Sequence, residues 1–239
     1  NLRTLGFIYQ KGTEFLIDIN KLRRFIHTQT YNIPLDIVAK RIKGKDTAKR
    51  ELNYYILDAE LGVNNVTAIT DVFIEKENDC STSFTVFEDI ESLLNVDDIF
   101  NQRNDYSIFR DLMENLAKKH SKGLLHGDLN LGNIGLEIRN GRRTIILDYV
   151  RGSQVSTDKT NEYIQALSHE LFILSNALKN KFNISQLTQE DVLHCQKSLE
   201  NYIQTIVERI IWANAPNQEL LRLRMEATIK LQFSFLYKF

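Results

Sequence analysis

Over the first ninety residues, apolar and polar positions alternate in runs of strand length. Leu5–Ile8 and Glu14–Ile19 flank the polar turn Gln10-Lys11-Gly12-Thr13, which predicts an opening hairpin. The basic stretch Asn20–Thr30 fits either a helix or a loop. After Pro34, the β-branched run Leu35–Ile42 predicts a buried strand. Asp46 is placed to cap a helix over Thr47–Leu61 that Gly62 would stop, with Leu52, Tyr55, Ile56 and Ala59 on one face. Two more strands are expected at Val66–Phe73 and Ser83–Phe87, separated by the polar turn Glu75–Cys80.

From Asp105 the period changes to that of a helix. Ile108, Leu112, Met113, Leu116 and Ala117 share a face, and the segment closes on Lys118-Lys119-His120 followed by Lys122-Gly123. A strand, loop and strand are expected over Leu124–Tyr149, with a turn at Asn140-Gly141, and helices from about Thr160 to the end. The pattern therefore predicts an α+β chain. Residues 1–89 would form a sheet-rich part with one helix, residues 90–239 a larger helical part, and the acidic stretch Glu88–Glu91 the boundary.

Composition narrows the partners. A chain of 239 residues with 43% apolar and 26% charged residues can bury a sizeable core, and 10 Gly with 2 Pro exclude a collagen-like or low-complexity sequence. The net charge of −1 lacks the basic surplus that phosphate-backbone binding requires, so nucleic acid is not an expected partner. Cys80 and Cys195 have neither disulfide-scaffold nor zinc-ligand spacing, which suits a reducing compartment. No apolar run approaches a membrane span, and Asn1–Gly6 does not read as a signal sequence, so a cytoplasmic protein is expected.

The stretch that carries chemistry is His126-Gly127-Asp128-Leu129-Asn130-Leu131-Gly132-Asn133, followed by the apolar run Thr144–Leu147 and Asp148-Tyr149. Phosphoryl transfer needs a carboxylate beside the accepting hydroxyl, and a second carboxylate plus an amide oxygen for the Mg²⁺ ions that offset phosphate charge. Asp128, Asp148 and Asn133 supply these groups, because an Asp five residues before an Asn can reach one cleft from a single loop. His and Asp are also common turn residues. What selects the catalytic reading is the order around them: amphipathic helix, short strand, loop, hairpin, Asp.

In that order and those residues the chain resembles the protein-kinase-like superfamily, over about Val38 to Tyr149. The resemblance implies a bilobal fold, ATP and Mg²⁺ as cofactors, and a protein or small-molecule hydroxyl as acceptor. It implies Asp128 and His126 as catalytic-loop residues, Asn133 and Asp148 on metal, Lys40 on the nucleotide phosphates and Glu51 paired with Lys40. Lys43 is a rival for the lysine role, and Lys40 is favoured because it lies within the apolar run. Phe87-Glu88-Asp89-Ile90 resembles the hinge that meets adenine, with Phe87 at the back of the pocket.

Departures from the family pattern select a branch. No G-x-G-x-x-G can be read between Leu5 and Phe15, Gly127 stands where typical protein kinases carry Arg, Asp148-Tyr149-Val150 replaces D-F-G, and A-P-E is missing. Without that Arg, activation by loop phosphorylation is not expected. The chain is more similar to the atypical branch of small-molecule phosphotransferases, lipopolysaccharide-core kinases and Rio-type kinases, and Arg50–Tyr55 resembles the YrbL family. The alternative is a pseudokinase that serves as a nucleotide-binding or scaffold module.

Overall fold

In the computed structural model the described residues are 8–11, 14–17, 36–43, 45–63, 73–75, 80–87, 93–95, 106–137, 143–147, 149–156, 160–181, 187–209 and 218–237. The chain divides into two compact units, residues 1–93 with 148–150 and residues 94–147 with 151–239.

The first unit is built on antiparallel strands. β1 (Ile8–Lys11) and β2 (Glu14–Ile17) form a hairpin in which Lys11 pairs with Glu14, so Gln10 and Lys11 of the expected turn belong to the strand. β3 (Asp36–Lys43) and β4 (Phe73–Glu75) flank β5 (Cys80–Phe87). Glu75 pairs with Cys80 and β5 starts three residues before the expected Ser83, because the ladder with β3 runs unbroken from Asp36↔Phe87 to Lys43↔Cys80. Of the expected strand Val66–Phe73, only Phe73 lies among the described residues.

α1 (Lys45–Glu60) follows β3 and packs on β3 and β5. Its end is a Schellman motif: Gly62, at φ 63°, donates to Ala59 O at 3.0 Å, and Val63 donates to Asp58 O at 2.9 Å. The buried face differs from the expected one. Glu51, Tyr54, Tyr55 and Asp58 are buried at helical spacing, whereas Ile56 is 45% exposed and Ala59 is exposed. Counting only apolar residues misplaced the stripe, because two of the inward positions are carboxylates.

The second unit is mainly helical. α2 (Tyr106–His120) buries Ile108, Leu112, Met113, Leu116 and Ala117, the face read from the sequence, and Phe109 beside them. β6 (Leu93–Asn95), β8 (Ile134–Glu137) and β9 (Arg143–Ile146) form one small sheet, and β7 (Leu124–Leu125) pairs with β10 (Ser153–Gln154) in another. The expected turn Asn140-Gly141 lies outside the described residues.

α3 (Thr160–Lys181), α4 (Gln189–Arg209) and α5 (Gln218–Gln232) complete the unit. Their core residues include Leu167, Leu171 and Leu174 of α3, Leu199 and Ile206 of α4, and Ile229 of α5. Phe109 of α2 meets Phe233 edge-on at 6.1 Å between ring centroids. Polar bonds tie α2 to β9: Asn115 Nδ2 donates to Thr144 O at 3.1 Å and to its Oγ1 at 2.9 Å, and Asp111 Oδ2 accepts from Thr144 N and Oγ1. Among the described residues, no helix is long and apolar enough to cross a membrane.

Candidate active site

The loop at residues 126–133 is presented by the end of α2. That helix stops on Gly123, at φ 70°, which donates to His120 O at 2.9 Å, and β7 then leads directly into His126. Buried Leu129 and Leu131 anchor the loop between its polar residues. A single 3₁₀ turn, Leu131–Asn133, brings Asn133 back towards Asp128.

His126 is fully buried. Its Nε2 donates to Leu147 O at 2.6 Å, and Nδ1 accepts from the Asp128 N–H at 3.2 Å, which fixes one tautomer. The ring thus braces the loop backbone against the strand that precedes Asp148. The carbonyl of Asp128 accepts from Asn130 N and from Asn133 Nδ2, both at 2.9 Å. With its amide nitrogen so engaged, Asn133 is left with Oδ1, a hard oxygen of the kind Mg²⁺ takes. The Asp128 carboxylate is 37% exposed, accepts from Asn130 Nδ2 at 3.1 Å through Oδ1, and faces Arg151 Nη1 at 3.7 Å through Oδ2.

Gly127 has a structural reason independent of any missing arginine. It sits at φ +78°, and a Cβ added there would collide with the backbone carbonyl of Arg151. Gly127→Ala is therefore expected to cost about 2 kcal/mol or more, from left-handed strain plus the displaced carbonyl. Chemical denaturation checks this, and an unchanged midpoint would count against the close approach.

Gly127 is also tied down through its backbone. Its N–H donates to Glu170 Oε2 at 2.8 Å, and the other oxygen of Glu170 accepts from His120 Nε2 at 2.8 Å. His120 Nδ1 lies 2.6 Å from the Tyr202 hydroxyl, and Tyr163 donates to His120 O at 2.7 Å. Burial alone would push the Glu170 carboxyl up, but the hydrogen bond and charge of His120 and the Gly127 N–H together hold it below the usual range. Burial first, and neighbouring Tyr163 and Glu170 next, push the Tyr202 phenol well above its ordinary value. Glu170, His120, Tyr163 and Tyr202 are all buried, so three helices hold one loop residue through a closed polar network.

In the first unit, Glu51 is 2% exposed on the α1 face that also carries Tyr54, Tyr55 and Asp58. Tyr149, next to Asp148 in sequence, is fully buried on the same face. Its hydroxyl donates to Asp58 Oδ2, its ring stacks on Tyr54 at 5.4 Å, and it meets Tyr55 edge-on at 5.0 Å. Tyr149 is thus bonded to the helix that carries Glu51.

The structure brings His126, Asp128 and Asn133 together in one loop. Lys40 and Phe87 take ladder positions opposite Ser83 and Asp36 in the first unit, which also holds Glu51, and the rival Lys43 pairs with Cys80. Asp148, Glu88, Asp89 and Ile90 lie outside the described residues. The network through Glu170 was not foreseen. Its one sequence signal is a carboxylate on the apolar stripe Tyr163, Ile164, Leu167, Leu171 and Leu174. Among the described residues, no group of three or more His, Cys, Asp or Glu could hold a metal by itself.

No protein-family model matches the sequence, and no curated protein matches it. Among solved structures, the chain is similar to one described as "WaaP in complex with acyl carrier protein", at 13% identity and a TM-score of 0.49, over 93% of this chain and 88% of that one.

Proposed function

We propose that the chain is an ATP- and Mg²⁺-dependent phosphotransferase that acts in the cytoplasm on a hydroxyl of a protein or small molecule. One observation carries the reading: the Asn133 side chain is clamped by Nδ2 to the Asp128 carbonyl at 2.9 Å, which sets a carboxylate and a free amide oxygen at fixed positions in one loop. Those are the groups that a transferred phosphoryl and its metal require.

In this reading the Asp128 carboxylate orients the acceptor hydroxyl and takes its proton. Asn133 Oδ1 and Asp148 would hold the metal, whose chemistry is to offset charge on the phosphates. Lys40 would meet the nucleotide phosphates with Glu51 holding it, and Phe87 with Glu88-Asp89-Ile90 would line the adenine side. His126, buried with its ring bonded to the Leu147 carbonyl and the Asp128 N–H, acts as a brace for the loop.

A second reading, a pseudokinase, draws on the Asp128 carboxylate itself. One oxygen is bonded to Asn130 and the other faces Arg151, so both are engaged within the protein. Incubation with labelled ATP, a generic protein substrate and a panel of hydroxylated metabolites separates the two. The kinase reading expects Mg²⁺-dependent transfer that the Asp128→Ala protein lacks. ATP binding seen by thermal shift without transfer to any acceptor, water included, favours the pseudokinase.

The same assay tests the lysine assignment. Lys40→Ala should reduce turnover at least tenfold more than Lys43→Ala does, since one lysine meets phosphate oxygens in this class of site. A larger loss at Lys43 reverses the assignment.

A further inference from the structure

A cavity of about 350 Å³ lies between α4 and α5 and is lined by Glu200, Glu208, Glu226 and Arg222 among others, and a smaller one, of about 270 Å³, lies between the first turn of α2 and the middle of α4. Arg110, His194 and Lys197 line it, and all three are exposed at its rim. Among the described residues, no ion pair engages any of them.

Of the acids nearby in sequence, Glu190 and Glu200 do not line the cavity, and Asp111 and Asp191 are engaged by Thr144 and Thr188. Asp111 accepts from Thr144 N and Oγ1, and Asp191 Oδ2 accepts from Thr188 N at 2.9 Å and Thr188 Oγ1 at 2.5 Å. Glu114, one turn beyond Arg110, does not line the cavity. Three basic side chains therefore face one cavity that no lining carboxylate neutralises.

The rest of the lining is polar, and the Ser198 hydroxyl donates to His194 O at 2.9 Å. Ser107 and Asn201 stand at the rim, and half-buried Tyr106 and buried Ser198 lie deeper. Burial, then Asp191 and Cys195, push the Tyr106 phenol up to about 12, so it keeps its proton and its capacity to donate. Tyr106 and Ser107 also open a 15-residue helix, whose N-terminal end carries partial positive charge. Three cationic residues and a helix start in one cavity are complementary to a compact dianion, and Arg110 can meet two of its oxygens at once.

We propose that this cavity binds a phosphomonoester group. Its volume of about 270 Å³ falls just below the usual span of ligand pockets, roughly 300–1,000 Å³, and admits a phosphate on a short carbon skeleton or on a single phosphorylated side chain. The site lies on helices apart from the loop at residues 126–133 and stands whether or not that loop transfers phosphate.

The test follows the His194 ring signal by proton NMR, assigned with a His194→Gln protein. Glycerol 3-phosphate, a phosphoserine peptide, glycerol and sodium chloride at matched ionic strength are titrated separately. The expected result is a saturable shift with at least one phosphate ester and none with glycerol or chloride. The Arg110→Gln/Lys197→Gln protein should bind at least tenfold more weakly and melt at the same temperature as the parent without ligand, since both changed residues are exposed. Tighter binding of glycerol 3-phosphate identifies a small metabolite as the source, and tighter binding of the peptide a phosphorylated chain segment. A His194 signal that does not move, that moves equally in chloride, or that saturates identically in the double variant overturns the proposal.

Discussion

Asp128→Asn should lower phosphoryl transfer by about 10²- to 10⁴-fold, the range for loss of a positioned general base, while the protein melts within a few degrees of the parent. The two halves of this expectation come from different atoms of the same residue. The loop is built on the Asp128 carbonyl, which accepts from Asn130 N and Asn133 Nδ2, and the substitution leaves that carbonyl in place. The carboxylate contributes little to folding. Its ion pair with Arg151 spans 3.7 Å between groups that are 37% and 72% exposed, and solvent-screened pairs of this kind are worth less than about 1 kcal/mol. An amide keeps the shape and loses the basicity, so kcat should fall with little change in the affinity for ATP. Turnover within tenfold of the parent would remove Asp128 from the chemistry and leave Arg151 as its structural partner only.

The sequence made visible those features that follow from local pattern. The apolar stripe of α2 repeats at helical spacing without interruption, and Gly62 and Gly123 stop their helices because each adopts a positive φ that a side chain would strain. The spacing of Asp128 and Asn133 was legible for a similar reason, since one short turn joins them and five residues suffice to close it.

What escaped is polar and long-range. On α1 the inward face contains Glu51 and Asp58, so a count of apolar residues turned the stripe towards Ile56 and Ala59. Asp58 is buried because the Tyr149 hydroxyl, 91 residues away, donates to it, and no local window contains both. The role of Gly127 was read as a missing guanidinium. The structure adds a positive φ and a carbonyl in the space of its absent Cβ, both set by where the chain returns at Arg151.

Glu170→Ala is expected to destabilise the second unit by about 3–5 kcal/mol, as when one partner of a buried charged pair is removed. It strands two donors at once, Gly127 N–H and His120 Nε2–H, in a region where His120, Tyr163 and Tyr202 are all buried. Since that protein could fail to fold, Glu170→Gln is the more informative change. Glutamine fills the same space but offers one oxygen where the carboxylate offers two, so one donor must face an NH₂ group, at a cost of about 1–3 kcal/mol. The dependence on pH separates this role from simple packing. The folded carboxyl sits below its ordinary 4.5, so its ionised form adds stability above that pH, and the contribution is lost as the pH falls through the folded value. The parent should therefore lose melting temperature as the solution is acidified below about pH 4.5, and the glutamine protein, which cannot titrate there, should lose less over the same window. If Gly127 is held in place through this carboxylate, the glutamine protein should also turn over about tenfold or more slowly at neutral pH, because small displacements of a catalytic loop are costly. Parallel acid profiles in the two proteins, with equal turnover, would show that the network neither stores charge nor positions the loop.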